Sequence, residues 1–276
     1  MVIFPNAKIN LGLNIIRKRP DGYHDLETVF YPVAIRDALE VIENDYTKED
    51  IRISSSGIPI NGKTEENLCF KAYWLLKTDL PQLPGLMIHL HKTIPAGSGL
   101  GGGSADGAFT LRLLNQKFAL GLSTEQLLDY ASRLGSDCPF FIINKPCLAS
   151  GRGEFLEPVS VDLSGYKFVF VNPGIHISTT EAFSLLRPSP HSKSIKEIIR
   201  QPIETWKIEL KNDFEGPIFK KYPAIETIKA KMYGSGAVYS SMTGSGSTVY
   251  GIFRKELEVS LDLPSNYFVK ELISQF

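Results

Sequence analysis

"PAGSGLGGGSADG", residues 95–107, places six glycines in thirteen positions and then runs straight into a helix-like pattern. Glycine reaches positive φ and lets backbone N–H groups approach a ligand with no Cβ in the way, at a cost of up to about 1 kcal/mol per residue relative to alanine. Short connections seldom need so many, so the stretch reads as an anion cradle. A helix beginning at Gly103 or Ser104 adds unpaired N–H groups and the positive end of its dipole, and together these favour a phosphate. Three known glycine loops compete for the reading. GxxxxGK[ST] requires a lysine, whereas Ser104 and Ala105 follow the last glycine of the run. Gly97, Gly99 and Gly102 satisfy GxGxxG, but a dinucleotide fold also needs an acidic residue about 20 positions later at a strand tip. The nearest candidate, Glu125, lies at a helix start. A protein-kinase glycine loop sits between strands, and no HRD or DFG element accompanies this one.

Working outward, 276 residues suffice for one large domain or two of ordinary size. With 43% hydrophobic and 22% charged residues, the composition is that of a globular protein and excludes collagen-like, disordered and fibrous classes. Lys+Arg and Asp+Glu balance at 30 each, so no overall basic field draws in nucleic acid or anionic lipid, and a small molecule is the expected partner. The N-terminal "MVIFPNAKINLGLNIIRKRP" puts its charges after the apolar stretch, the wrong order for a secretory signal. No apolar run approaches the roughly 20 residues of a membrane span. Cys69, Cys138 and Cys147 are an odd number without CxxC spacing, against both a disulfide framework and a zinc site. A cytoplasmic location is expected.

Strand patterns dominate the first half. "AKINLGLNII" alternates Ile9, Leu11, Leu13 and Ile15 on one face, and "LETVFYPVAI", "ALEVIE" and "IRISSS" follow with short turns. "EENLCFKAYWLLKT" places Leu68, Ala72, Leu75 and Leu76 at helical spacing, and "GLMIHLHKTIP" returns to strand. After the glycines, Ala105, Ala108, Phe109 and Leu113 mark one side of a helix. "STEQLLDYASRLG" is a further helix, with Ser123 and Gln126 as a capping box and Gly135 at its C-terminal end. The pattern restarts near residue 158. "YKFVFVNPG" reads as a strand, "AIETIKAKMYG" as a helix, and "STVYGIF" and "NYFVKELI" as strands, with a polar, proline-punctuated stretch from Arg187 to Gln201 between. Such alternation suits a small α+β layer.

The loop resembles the P-x-x-x-G-L-G-S-S-A segment of the GHMP kinase superfamily, which binds ATP phosphates without a Walker lysine. "MTGSGSTVYGIF", residues 242–253, is similar to that superfamily's glycine-rich C-terminal segment. "AKINLGLNIIRKRPDGYHDLETVF" (7–30), "GSDCPFF" (135–141), "NPGIHISTTEAF" (172–183) and "LKNDFE" (210–215) resemble segments of one member family, the 4-diphosphocytidyl-2-C-methyl-D-erythritol kinases. The resemblance implies an α+β fold of two domains. Residues 1–158 would form an N-terminal, ribosomal-protein-S5-domain-2-like ATP-binding layer, and residues 159–276 a ferredoxin-like C-terminal layer. It further implies transfer of the γ-phosphoryl of ATP to the 2-hydroxyl of a cytidine-diphosphate-linked methylerythritol, with Mg²⁺, in a monomer or homodimer.

Site residues follow from the same resemblance. Phosphoryl transfer is mainly positioning and charge stabilisation, and the resemblance makes Asp137 the base and Lys8 its cationic neighbour. Asn10, Tyr23, His24, Thr179 and Phe183 become substrate contacts: Tyr23 and Phe183 stack on the two faces of the pyrimidine, and His24 bonds its edge. Stacking cannot choose a base, so hydrogen bonds must. ATP would lie over Pro95, Ala96, Gly97, Ser98, Gly99, Leu100, Gly101, Gly102, Gly103, Ser104 and Asp106, with Asn67 and Lys92 at the nucleoside. Gly244, Ser245 and Gly246 would close the site. Mg²⁺ would rest on phosphates and few protein oxygens; no metal cage is expected. Read alone, Tyr23 and Phe183 are core aromatics and His24 a loop histidine. His89 and His91 lack a third ligand and read as a polar strand face.

The chain departs from the family at "SADGA": Ala105 removes a hydroxyl, and Gly107 loosens the first helical turn. Asp25 replaces the glutamate usual after DGYH. Residues 184–209 match nothing recognisable. Other acceptors (homoserine, mevalonate or a sugar) and an ATP-binding scaffold without turnover are the competing readings.

Overall fold

The protein, seen in a computed structural model, is described over residues 1–44, 50–60, 62–186 and 191–274. Its elements in chain order are β1 (Val2–Ile3), β2 (Asn6–Lys18), β3 (His24–Arg36), β4 (Ala38–Glu43), β5 (Ile51–Gly57), α1 (Leu68–Asp79), β6 (Leu86–Lys92), α2 (Gly102–Lys117), α3 (Thr124–Leu134) and α4 (Cys138–Ile143). There follow β7 (Cys147–Gly151), β8 (Phe155–Pro158), β9 (Tyr166–Asn172), α5 (Thr179–Ser184), α6 (Ile195–Ile198), α7 (Ile203–Glu209), α8 (Glu215–Lys221), α9 (Pro223–Gly234), β10 (Tyr239–Met242), β11 (Val249–Arg254) and β12 (Phe268–Ile273). No helix among the described residues is long and apolar enough to cross a membrane.

These elements form two compact units that interleave along the chain. One comprises Met1–Ala7, Ile35–Ala96 and Gly101–Asn144; the other comprises Lys8–Ala34, Gly97–Leu100 and Lys145 onward. The restart of pattern near residue 158 falls inside the second unit. Strand pairing explains why: β7 and β8 join β3, which lies more than a hundred residues earlier, so sheet membership rather than chain order decides the unit.

In the first unit the sheet runs β1-β4-β6-β5, with β5 parallel to β6 and the other pairs antiparallel. Helices α1, α3 and α4 pack around α2. The spacing of Ala105, Ala108, Phe109 and Leu113 predicts a one-sided helix, yet α2 is buried nearly all round, through Gly102, Ala105 to Leu111, Leu113 and Leu114. A helix apolar on most of its circumference belongs inside a core. Gly107 makes this possible, because a Cβ there would lie 2.8 Å from Leu68 Cβ. The glycine that weakens the helix therefore lets α1 approach it. Ser123 and Gln126 form the capping box that their spacing predicts, at 3.3 and 2.9 Å. Gly135 ends α3 in extended backbone (φ 168°), a conformation open to any residue.

The second unit holds two four-stranded sheets, β2-β3-β7-β8 and β10-β11-β9-β12. The latter is antiparallel throughout and has the strand order of a ferredoxin-like layer, with α5 to α9 in its first crossover. Its second crossover, residues 255–267, contains no helix. Sequence period explains the departure. Leu257, Val259, Leu261 and Leu263 recur every second residue and Pro264 follows, an extended pattern. Val259, Leu261 and Leu263 pack against the core of Val169, Val171, Ile228, Met232 and Phe253 as a strand-like strap would. Within the stretch 184–209, Arg187 to Pro190 lie outside the described residues. The rest carries α6 and α7, whose Ile195, Ile198, Ile203 and Trp206 are buried.

Gly107→Ala tests the helix contact. Alanine gains about 1 kcal/mol of helix propensity in an open helix, but overpacking costs about 1–3 kcal/mol. The expected outcome is therefore a net loss of up to about 2 kcal/mol in urea unfolding, whereas a gain would show that α1 yields freely.

Candidate active site

β2 is buried on both faces from Asn6 to Ile15. Alternation sends Ile9, Leu11, Leu13 and Ile15 to one face and Lys8, Asn10, Gly12 and Asn14 to the other. A polar face is ordinarily solvated. Here it is enclosed, so each polar group must find a partner. The Lys8 ammonium, on a residue only 3% exposed, donates to Asn10 Oδ1 at 2.8 Å and lies 4.8 Å above the Phe30 ring. Asn10 is held on every side: Nδ2 donates to Thr28 Oγ1 (3.0 Å), its backbone N–H donates to Thr243 Oγ1 (3.1 Å), and its carbonyl accepts from the Tyr250 hydroxyl (2.8 Å). The second unit thus brings Lys8 and Asn10 together, beside Gly244.

Within the same unit, residues 97–100 pack against the C-terminal glycine turn, backbone on backbone. A Cβ on Gly99 would lie 2.0 Å from the Thr243 carbonyl oxygen, and one on Gly246 would lie 2.3 Å from Ser98 C. Thr243 Oγ1 donates to the Gly99 carbonyl (3.1 Å) and Thr248 N–H to the Ser98 carbonyl (3.3 Å). Asn212 ties down the turn by donating through Nδ2 to the carbonyls of Met242 and Gly244, while its Oδ1 accepts from Phe214 N–H.

The tip of the β2–β3 hairpin carries Tyr23 and His24. His24 stacks on Phe183, with ring centroids 4.8 Å apart and planes 27° from parallel. Phe183 in turn meets Phe214 edge-on at 5.1 Å. The ring seen against Phe183 is thus His24, whereas the sequence pairs Phe183 with Tyr23 about a base. Burial, and then the nearby Lys18, push the His24 imidazole below its ordinary range, so at pH 7 it is neutral, with one ring N–H donor and one acceptor nitrogen. Thr179 opens α5 and is exposed, on a helix capped by Ser178.

In the first unit, α2 starts one residue before the expected Gly103 or Ser104, with Gly101 as its left-handed cap (φ 72°). Gly103 is exposed, with open space around it. The first-turn amides have no intrahelical partner, which makes this end the part of the segment suited to an anion. Beneath it, Lys92 is buried between Asp37 and Asp106. Asp37 Oδ1 also accepts from the N–H groups of Thr93 (2.6 Å) and Ile94 (2.9 Å), which clamps the strand just before the glycines. Burial pushes Asp106 up to about 7, with Asp37 adding to the effect and Lys92 opposing it. Burial also favours the neutral Lys92 amine, yet the two carboxylates hold it above its ordinary range. Asn67 caps α1 by accepting from Cys69 N–H at 2.8 Å. Asp137 stands immediately before α4, half-buried. Its neighbour Cys138 has a thiol pushed up to about 12 by burial and by Asp137, against a hydrogen bond with Ser104; Ser104 and Asp137 therefore flank the same thiol. His89 and His91 bond Ser54 and Ser56 of the parallel strand β5, and no cluster of three metal-ligating side chains occurs among the described residues.

Comparison with known proteins gives this geometry its context. Residues 67–145 match the GHMP kinases N terminal domain and residues 194–264 the GHMP kinases C terminal domain. A 4-diphosphocytidyl-2-C-methyl-D-erythritol kinase of Bacteroides fragilis is 52% identical over 94% of each chain. The enzyme of the same name from Cytophaga hutchinsonii is 51% identical over 96% of this chain and 97% of that one. The chain belongs to the 4-diphosphocytidyl-2-C-methyl-D-erythritol kinase family. A crystal structure of 4-(cytidine 5'-diphospho)-2C-methyl-D-erythritol kinase superposes with a TM-score of 0.77 at 30% identity, over 91% of this chain and 90% of that one. Homoserine kinase of C. hutchinsonii (TM-score 0.65, 16% identity, 91% and 86% covered) shares the fold. GHMP kinases use ATP as phosphoryl donor.

Asp37, Thr28, Thr243 and Asn212 are the residues that sequence reasoning passed over in this family member. A lone aspartate between "AIR" and "ALEVIE" carries no local signal, since its side-chain partners lie 55 to 57 positions away. Asn212 sits inside the recognised "LKNDFE", where a buried amide beside a glycine turn is the feature to look for. Asp37→Asn, which leaves Lys92 with Asp106 alone and weakens a charged acceptor shared by Lys92, Thr93 N–H and Ile94 N–H, is expected to cost about 1.5–3 kcal/mol in urea unfolding. A loss under 1 kcal/mol would remove the cluster from its anchoring role.

Proposed function

We propose that the chain transfers the γ-phosphoryl of ATP to the 2-hydroxyl of 4-diphosphocytidyl-2-C-methyl-D-erythritol, giving the 2-phosphate and ADP in cytoplasmic, non-mevalonate isoprenoid precursor synthesis. The observation that carries the reading is the buried polar face of β2. Lys8 and Asn10 stand there in the same unit as the His24–Phe183 stack, in a chain about half identical to enzymes of that name along nearly their whole length.

In this reading the hydroxyl oxygen forms a bond to the γ-phosphorus as the β–γ bridging bond breaks. Asp137 takes the hydroxyl proton, while the Lys8 ammonium polarises that oxygen and Asn10 fixes the ammonium. Exposed amides at the start of α2 bind the phosphates, supported by the Lys92 cluster beneath them. Tyr23, His24 and Phe183 recognise cytosine: aromatic faces stack, and the neutral imidazole offers one donor and one acceptor to the pyrimidine edge. The Ser104 hydroxyl would be the hard oxygen donor for Mg²⁺, and so sparse a protein contribution fits an ion held mostly by phosphate and water. When bound, the ion neutralises phosphate charge. Ala105, fully buried, offers no second hydroxyl.

A coupled ADP-release assay with the cytidylyl acceptor against homoserine, mevalonate and galactose tests the proposal; faster turnover of any of these three overturns it. Asp137→Asn is expected to leave ATP affinity in place and lower kcat about 10²- to 10⁴-fold. Because the His24 pKa is depressed, KM for the cytidylyl acceptor should stay level from pH 8 down to about 6.5 and rise below it as the ring protonates. His24→Gln should abolish that acid rise, and an unchanged profile in the variant would take His24 out of base recognition.

A further inference from the structure

One exposed aromatic of the second unit has a charged backing. Tyr23 is 56% exposed at the tip of the β2–β3 hairpin, and the Arg152 guanidinium carbon lies 5.0 Å from its ring centroid. Arg152 occupies the tight turn between β7 and β8, between two glycines of positive φ, Gly151 (+69°) and Gly153 (+109°). Glu154 grips it twice: the carboxylate accepts from the Arg152 backbone N–H at 2.5 Å and from Nε at 3.3 Å. This grip depends on Gly151, since a Cβ there would come within 2.8 Å of Glu154 Oε2 and 2.7 Å of Phe155 Cδ2. On the hairpin side, Asp21 accepts from Tyr23 N–H at 3.1 Å and lies within electrostatic reach of Arg152. Backbone turn, carboxylate and guanidinium thus converge on one tyrosine that is more than half exposed.

We propose that Arg152 is a positioning residue for pyrimidine recognition: it covers one face of Tyr23 and holds the ring in the orientation in which its other face stacks on the base. The inference rests on the reading that Tyr23 is a stacking partner of the cytidylyl acceptor. A tyrosine with two free side-chain torsions loses entropy when a base immobilises it, and a ring already fixed by a neighbour loses less. A planar guanidinium suits this task better than an ammonium, because it stacks flat on an aromatic face. An exposed cation–π contact corresponds to roughly a two- to five-fold change in an equilibrium.

The test measures initial rates for the wild type, Arg152→Ala, Arg152→Lys, Tyr23→Ala and the Arg152→Ala/Tyr23→Ala double variant, varying each substrate in turn. Arg152→Ala should raise KM for the cytidylyl acceptor roughly two- to five-fold, with kcat, KM for ATP and Tm unmoved; Arg152→Lys should recover part of the loss. In the Tyr23→Ala background the arginine substitution should have no further effect. An equal rise in KM with and without Tyr23 would mean that the guanidinium contacts the acceptor directly, its diphosphate being the obvious partner, and would overturn the positioning role. So would an unchanged KM in Arg152→Ala where Tyr23→Ala raises it. Should Tyr23→Ala itself leave the acceptor KM unchanged, the stacking reading fails, and the inference falls with it.

Discussion

Two glycines without room for a β-carbon govern the second unit. Gly99 lies against the Thr243 carbonyl and Gly246 against the backbone of Ser98 and Gly99, at distances no side chain survives. Two segments some 145 residues apart are thereby held main chain to main chain, and Thr243 bonds both the Gly99 carbonyl and Asn10. Removing the side chains frees N–H and C=O groups to be aimed, and it commits the segments to each other. The many glycines of residues 95–107 therefore divide their work. Gly99 serves this contact, Gly101 turns the backbone into α2, Gly102 clears Ile94, Gly107 clears Leu68, and Gly103 is left open to solvent.

A second constraint is the enclosure of charge. Lys8 is held over Phe30 by an asparagine that is itself fixed by Thr28, Thr243 and Tyr250. Lys92 is held by two carboxylates, one of which also binds the backbone ahead of the glycines. Buried ions with incomplete partners are strongly destabilising, so in both places a set of neighbours determines where a flexible lysine ends. Rigidity of this kind suits phosphoryl transfer, which asks a protein chiefly for positioned charge.

The hairpin side is built differently, from half-buried and exposed rings that lean on one another or on a guanidinium. His24 leans on Phe183, which is anchored edge-on against Phe214, and Tyr23 leans on Arg152. Stacking tolerates any base, so in the proposed reading it is the neutral imidazole and its hydrogen bonds that discriminate. The ferredoxin-like sheet below carries the same economy. Its second crossover is an apolar extended strap, where alternation of Leu257, Val259, Leu261 and Leu263 suits burial against a sheet and a helix would turn half of those side chains outward.

Local pattern was enough for much of the molecule. Alternation in β2, β3, β9 and β11, the helical spacing of α1 and α9, and the capping box of α3 all rest on neighbours within a few positions, so their physics is written in short windows of residues. The glycine run and the "DGYH", "GSDCPFF" and "LKNDFE" segments likewise announced the family. Tertiary structure alone decided which strands share a sheet, why β7 and β8 sit with β3, and that Asp37 reaches Lys92. It alone decided that α2 is buried nearly all round, and that Phe183 meets His24 while Tyr23 meets Arg152. Those outcomes depend on groups tens to hundreds of positions apart being brought within a few ångströms, and such proximity is a property of the packed core, which no stretch of residues carries by itself.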